Sequence, residues 1–293
     1  MGKNGSDVAR EAADIVLLDD NFASIVIGIK EGRLLFSNLK KSIAYTLAHS
    51  MPEVASALAY AVLSMPLPTT AILLLCIDLL TELFPATSLA YEHPEANIMK
   101  EPPRDVKIDK LVSLNLLAYS YFQAGLIITV ACFFVYFMTF NQAGLTPPEV
   151  MSLHGHYFDD KPIGSYHSWT GVLWTIPQQD TLMDKVHGAY YLMLVLGQAC
   201  HIWVCRTMVV SIFEHGIFSN WYTNGGVLIA LALGFTVVYA PFAQYVDGSG
   251  NAPILIVLEV TAYTFAALWL WGEGRKLIIR NYPDSDTTYF LKW

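Results

Sequence analysis

Three carboxylates stand in stretches that are otherwise apolar. Asp78 and Glu82 lie inside LLLCIDLLTELFPATSLAYE (73–92), and Glu53 is the only acid of YTLAHSMPEVAS (45–56). An ionised carboxylate is costly in hydrocarbon, and such residues normally face a bundle interior or a polar cavity. Spacing of four puts Asp78 and Glu82 on one face of a helix, one turn apart. Thr81 adds a hydroxyl on a nearby face. Pro85 has no N–H, so the carbonyl of Thr81 loses its helical donor, and Pro52 does the same to the carbonyl of Ala48. Tyr45, Thr46, His49 and Ser50 bring further polar atoms within two turns of Glu53. Oxygen ligands of this kind suit hard cations, and helices broken near mid-membrane are how transporters build ion sites. A polar cluster that only glues helices together accounts for one such residue. Three acids and two prolines in neighbouring segments favour a cation path. Gln198 and His201, three residues apart, suit glue and function equally.

The elements that must position these groups are membrane helices. Hydrophobic residues make up 54% of the 293 residues and charged residues 14%, against about 25% charged in soluble domains. The mean hydropathy is +0.43. A net charge of −8 offers no basic surface for nucleic acid. Runs of roughly 20 apolar residues cross a bilayer, and six are expected, at about 43–64, 69–91, 114–140, 188–210, 223–243 and 253–272. SMPLP (64–68) makes the first two antiparallel neighbours. Of the 17 Lys and Arg, all but Lys161 and Lys185 fall on one side of this alternation. The positive-inside rule makes that side cytoplasmic, with both termini there.

Residues 1–30 are polar, without the apolar core of a signal peptide. In DVAREAADIVLLDD (7–20), Val8, Ala12 and Ala13 fit a short helix and IVLL a short buried strand, which reads as the end of an α/β domain. The loop 141–187 is long, polar and aromatic, a length often tied to function or partners. Its His154, His156, His167 and His187 are irregularly spaced and read as surface histidines rather than a metal site. Cys76, Cys132, Cys200 and Cys205 form neither a C-x-x-C motif nor a disulfide framework and read as apolar core.

Long segments resemble the C-terminal part of the catalytic subunit of P-type cation ATPases of the sodium/potassium and gastric proton/potassium type. They are GSDVAREAADIVLLDDNFASI (5–25), EGRLLFSNLKKSIAYTL (31–47), PLPTTAILLLCIDLLTELFPATSLAYE (66–92), DKLV (109–112), AYSYFQAG (118–125) and RKLIIR (275–280). The resemblance implies an all-α membrane protein whose six spans are equivalent to the last six of ten, preceded by a remnant of an α/β phosphorylation domain. Residues 1–30 would end that domain, 31–42 form a stalk, 43–275 the transmembrane domain and 276–293 a cytoplasmic tail. The family's phosphorylated aspartate in DKTGT, its TGDGVND loop and its nucleotide domain are not in this sequence. The resemblance therefore implies a fragment, with Met1 aligned to an internal methionine, that cannot by itself hydrolyse ATP. Mg2+ and ATP would belong to the missing cytoplasmic domains.

The same resemblance puts Glu53, Asp78, Glu82 and Ser50 at cation-ligand positions and matches Gln198 to a glutamine; Tyr45 and Thr81 join the cation-binding set from their place beside these acids, with Pro52 and Pro85 as helix breakers. The carry-over is uneven. Glu82 stands for an aspartate, Ser50 for an asparagine, His49 for serine or lysine, and His201 for the aspartate tied to a third sodium site. Ile229 and Ala230 replace an acidic pair. His49 and His201 would tune the site, with fewer sodium ions or proton involvement. GSYHSWT (164–170) looks like a weakened SYGQ segment, which implies a single-span accessory subunit on loop 141–187. The expected function is transport of monovalent cations across the plasma membrane as part of an ATP-driven pump. A six-span channel or secondary transporter, or a truncated non-catalytic membrane protein, are the alternatives.

Overall fold

The computed structural model describes residues 2, 5–19, 21–95, 98–100, 103, 109–153, 156–158, 162–283 and 285–293. Lys3, Arg104, Lys107, His154 and Lys161, used above for charge balance or as surface histidines, lie outside the described residues. Ser6 accepts the Ala9 N–H and starts α1 (Asp7–Glu11), a single turn. Asn21 Oδ1 accepts the Ala23 N–H ahead of α2 (Ala23–Leu63), one continuous helix of 41 residues. It stops at Ser64, whose φ of 54° is left-handed, just before the proline turn. Thr70 caps α3 (Ala71–Cys76) by accepting the Leu73 N–H. A π segment (Ile77–Thr81), α4 (Leu83–Ser88) and a 3-10 turn (Leu89–Tyr91) continue it, and a second 3-10 turn follows at Ile98–Lys100.

Ser113 caps α5 (Leu114–Leu117), which runs through a longer π segment (Ala118–Gly125) into α6 (Leu126–Gln142). The short α7 (Pro147–Val150) and an antiparallel pair, β1 (Tyr166–His167) and β2 (Leu173–Trp174), precede α8 (Ile176–Cys205). The chain then forms α9 (Ile212–His215), α10 (Trp221–Tyr239), α11 (Pro241–Asp247), α12 (Ile254–Asn281) and α13 (Asp286–Leu291).

The all-α membrane class holds, and the span count changes. Among the described residues, five stretches are long and apolar enough to cross a bilayer: Ala71–Tyr91, Leu114–Gln142, Ile176–Cys205, Trp221–Tyr239 and Ile254–Asn281. The expected span 43–64 is helical but is not one of the five. Lys40, Lys41, His49 and Glu53 dilute the apolarity of α2. Residues 31–42, read as a stalk, run on into this segment as one helix, and Pro52 sits inside it without ending it. The fourth span begins at Ile176 rather than 188, because Thr175 and Gln178 form a capping box ahead of the apolar run. The loop between α6 and α8 is correspondingly shorter than 141–187. IVLL forms no strand: Ile15 and Leu18 are exposed, since a strand with no neighbour leaves its ladder groups unpaired.

The centre of the bundle is α8. From Gly188 to Cys205 every residue but Trp203 is buried, as befits a helix that is apolar all round. Around it pack α2, α6, α10 and α12. Gly272 of α12 lets Val204 approach so closely that a Cβ would collide with it, the small-residue contact typical of membrane helices. The outward surface is apolar, with Leu79, Val130, Leu228, Leu255 and Leu270 exposed. At one end His187 of α8 sets its ring nitrogens against the carbonyls of Leu67 (2.9 Å) and Gly248 (3.2 Å). Tyr136 donates to the Pro66 carbonyl beside it (2.7 Å).

The opposite end is held by buried ions. Glu92 accepts from Arg206 Nε (2.8 Å) and Nη2 (3.1 Å), from His215 Nε2 (3.0 Å) and from Asn220 Nδ2 (3.0 Å). Asn38 of α2 donates to the Glu92 carbonyl. Lys41 pairs with Glu95 at 2.8 Å, and Glu95 also accepts the backbone N–H of Met208 (2.7 Å) and Val209 (3.1 Å). Burial alone would push both carboxyls up. For Glu92 the hydrogen bonds from His215 and Arg206 outweigh burial and hold it well below the usual carboxylate range. For Glu95 the ammonium of Lys41 does so.

Candidate cation site

The site lies where the middle of α2 faces the first π segment. Pro52 removes one amide donor from α2, and the Pro52 carbonyl accepts from Tyr190 of α8 (2.8 Å). On the other wall, a π turn threads one extra residue between Ile77 and Thr81, with the Glu82 N–H bonded to the Ile77 carbonyl (2.9 Å). Such bulges recur at functional sites. Pro85 follows four residues after Thr81, so the Thr81 carbonyl has no helical donor there.

His49 links the two walls. Its Nε2 lies 2.9 Å from Asp78 Oδ1 and its Nδ1 3.8 Å from Glu82 Oε2. One ligand atom from each of His49, Glu53 and Asp78 falls within 4.8 Å of the other two. This is the one His, Cys, Asp or Glu cluster of metal-holding geometry among the described residues. Tyr45 lies against Glu82. Glu53 Oε1, Glu82 Oε2 and His49 Nδ1 are buried with no hydrogen-bond partner. Unpaired buried polar atoms are costly, so oxygens left open toward one another describe a ligand cage better than a finished structural network. The Asp78 side chain is 51% exposed and that of Glu82 4%, so the cage is deep at Glu82 and open at Asp78.

A third wall is the π segment of Ala118–Gly125. Gly125 faces the Ala48 carbonyl, the one Pro52 deprives of its donor, and a Cβ there would lie 2.9 Å from that oxygen and 2.5 Å from the Ser120 carbonyl.

Not every residue expected at the site is there. Thr81 is buried, and its hydroxyl donates to the Ile77 carbonyl (3.1 Å). Thr46 is exposed and bonds to the Ser42 carbonyl. The Ser50 side chain makes no hydrogen bond among the described residues. Gln198 and His201 form a second, separate cluster. His201 Nδ1 lies 3.4 Å from Gln198 Oε1, while its Nε2 lies 3.2 Å from the Tyr119 hydroxyl and 3.0 Å from Cys205 Sγ. This cluster meets the first through Tyr45, whose ring stacks on His201 at 5.9 Å. On its far side Arg275 covers the Tyr119 ring at 4.7 Å, and Trp293 stacks on the same ring at 5.0 Å. Sequence reasoning missed both π segments, Tyr190 and Tyr119. Pro85 was the available signal for the first π turn. Nothing in the spacing marks the others.

Residues 66–278 match the family model described as Cation transporting ATPase, C-terminus. The chain is 41% identical over 294 aligned positions to the sodium/potassium-transporting ATPase subunit alpha of Drosophila melanogaster, and 40% identical over 298 to the human subunit alpha-2. It is 40% identical over 299 positions to the rat subunit alpha-4. Each alignment takes in 99% of this chain and 28% of the relative, so the chain spans under a third of the length of these proteins.

Proposed function

The chain belongs to the cation-transporting P-type ATPases, matching their C-terminal membrane portion, and from that premise we propose that it carries the transmembrane cation path of an ATP-driven pump for monovalent cations. The observation that carries this reading is the cage of His49, Glu53, Asp78 and Glu82, with buried oxygens that have no partner of their own. Carboxylates and freed carbonyls replace the hydration shell of a cation. Tyr45, Pro52, Thr81 and Pro85 shape the cage. Gln198 and His201 stand behind it, across Tyr45, and Ser50 would add a hydroxyl.

ATP and Mg2+ would act on a cytoplasmic phosphorylation domain, of which residues 1–30 would be the end and 31–42 the stalk into the membrane. The transmembrane domain would run over 43–275, with 276–293 as a cytoplasmic tail. The plasma membrane, with both termini cytoplasmic, is the proposed setting. It requires α2 to cross alongside the five apolar helices, and its packing on α8 and on the Ala118–Gly125 segment supports that. The relatives are named as alpha subunits, and an accessory subunit docking on the hairpin of Tyr166–Trp174 is proposed here too. Trp169, Val172 and Leu173 offer it exposed apolar surface.

The test is a chimera in which this chain replaces the matching region of the Drosophila subunit. Rubidium uptake and sodium- or potassium-stimulated ATP hydrolysis are expected, with both lost in E53Q. A chimera that reaches the membrane and hydrolyses ATP at a rate indifferent to either cation would overturn the reading.

A further inference from the structure

We propose that His49, Glu53 and Asp78 also form a binding site for a borderline divalent metal ion of the zinc class. An imidazole among carboxylates is a poor choice for alkali cations, which take oxygen. It is a good one for zinc, which takes nitrogen and oxygen together. The geometry is nearly assembled. Zinc sits about 2.0–2.2 Å from such ligands in a tetrahedral shell, so the ligand atoms around one ion are about 3.4 Å apart. The three ligand atoms here all lie within 4.8 Å of one another, and side-chain shifts of up to about 1.4 Å bring them to that spacing. His49 Nε2 and Asp78 Oδ1 are already 2.9 Å apart, and the ion would take the place of the proton they share.

A second observation is independent of that cluster. His49 is 4% exposed and Glu82 3%. His49 Nδ1 and Glu82 Oε2 face each other at 3.8 Å, each buried without another partner. A carboxylate behind the far nitrogen of a ligating histidine is the arrangement that fixes the ring and raises its basicity in metal sites. Charge agrees, since a divalent ion neutralises Glu53 and Asp78 together. The Asp78 side chain is 51% exposed, and a water there would be the fourth ligand. Metal binding stands on this geometry alone. Its consequence, competition with monovalent cations for Glu53 and Asp78, rests on the transport reading.

The test uses the full 293-residue chain in detergent micelles. Zn2+ is titrated calorimetrically, Co2+ is followed by visible absorption and proton NMR, and thallous ion binding is measured in parallel. One equivalent of Zn2+ is expected. Co2+ should give ligand-field bands without thiolate charge transfer, and a shifted imidazole N–H resonance that disappears in D2O. H49S should weaken Zn2+ by roughly 100-fold, and E82Q by about 10-fold, the low end for an outer-shell partner. No saturable binding, a thiolate band pointing to Cys76, or no imidazole resonance would overturn the inference, and the last two need no variant to fold. Zinc failing while thallium binds sinks this inference alone. Zinc binding while thallium does not sinks the transport reading alone.

Discussion

Replacing Glu92 by glutamine should be among the most damaging changes outside the candidate site, although only one oxygen becomes an amide. The side chains of Glu92 and Arg206 are both 0% exposed. Glu92 accepts from two Arg206 nitrogens, from His215 and from Asn220, and Arg206 also donates to the Ile217 carbonyl and to Ser219. In E92Q the guanidinium stays buried without its counter-charge, which costs about 3–5 kcal/mol. That is about two to four powers of ten in the folded-to-unfolded ratio. Thermal unfolding in micelles, followed by tryptophan fluorescence, would measure it across E92Q, R206Q and the double variant. The double variant should be less destabilised than the two singles combined, because neither charge is then stranded. Acid sharpens the test. The folded-state pKa of Glu92 lies below the ordinary 4.5, so this stabilisation is complete above about pH 4.5 and fades as pH falls. E92Q should flatten that acid limb. A single variant within about 0.5 kcal/mol of the parent, or additive singles, would refute the argument.

Three further outcomes follow from the same structure. G125A places a methyl against the Ser120 and Ala48 carbonyls and should destabilise by about 1–3 kcal/mol, read as a lowered melting temperature and reduced rubidium uptake in the chimera. Y190F removes the hydrogen bond to the Pro52 carbonyl, with an expected cost of about 0.5–1.5 kcal/mol, measured the same way against a surface control such as Y245F. W169S should leave the melting temperature unchanged and weaken co-purification of the accessory subunit; a retained complex would move that partner off the hairpin.

The acids were legible because a carboxylate in an apolar run is an exception that needs a reason, and the structure brings Glu53, Asp78 and Glu82 to one place. The helices were legible for the same kind of reason, through runs of the right length. Their ends were less so, because Ile176–Met183 is polar enough to read as loop until its capping box and its packing are seen. The π segments were barely legible: Pro85 marks a break after the first, and nothing marks the second. A five-residue hydrogen-bond step leaves no mark in side-chain spacing, and it depends on what packs opposite, as with the Ala48 carbonyl at Gly125. The Glu92–Arg206 pair spans 114 residues of sequence, and no local pattern connects its members. IVLL failed because its propensity for a strand was read without a neighbour to pair with.

The unbroken run of α2 has a mechanical consequence. Asn38 and Lys41, both buried and tied to the 90–95 segment, act as a fulcrum partway along the rod. Glu53 lies ~18 Å from Lys41 on one side, and Ala23 lies ~27 Å away on the other, at 1.5 Å per residue. A tilt of ~10° about that pivot swings the Ala23 end by ~5 Å and carries Glu53 ~3 Å the opposite way. His49, ~12 Å from the pivot, moves ~2 Å with it, enough to break its 2.9 Å contact with Asp78. A modest push on the exposed arm is therefore enough to open or close the cage.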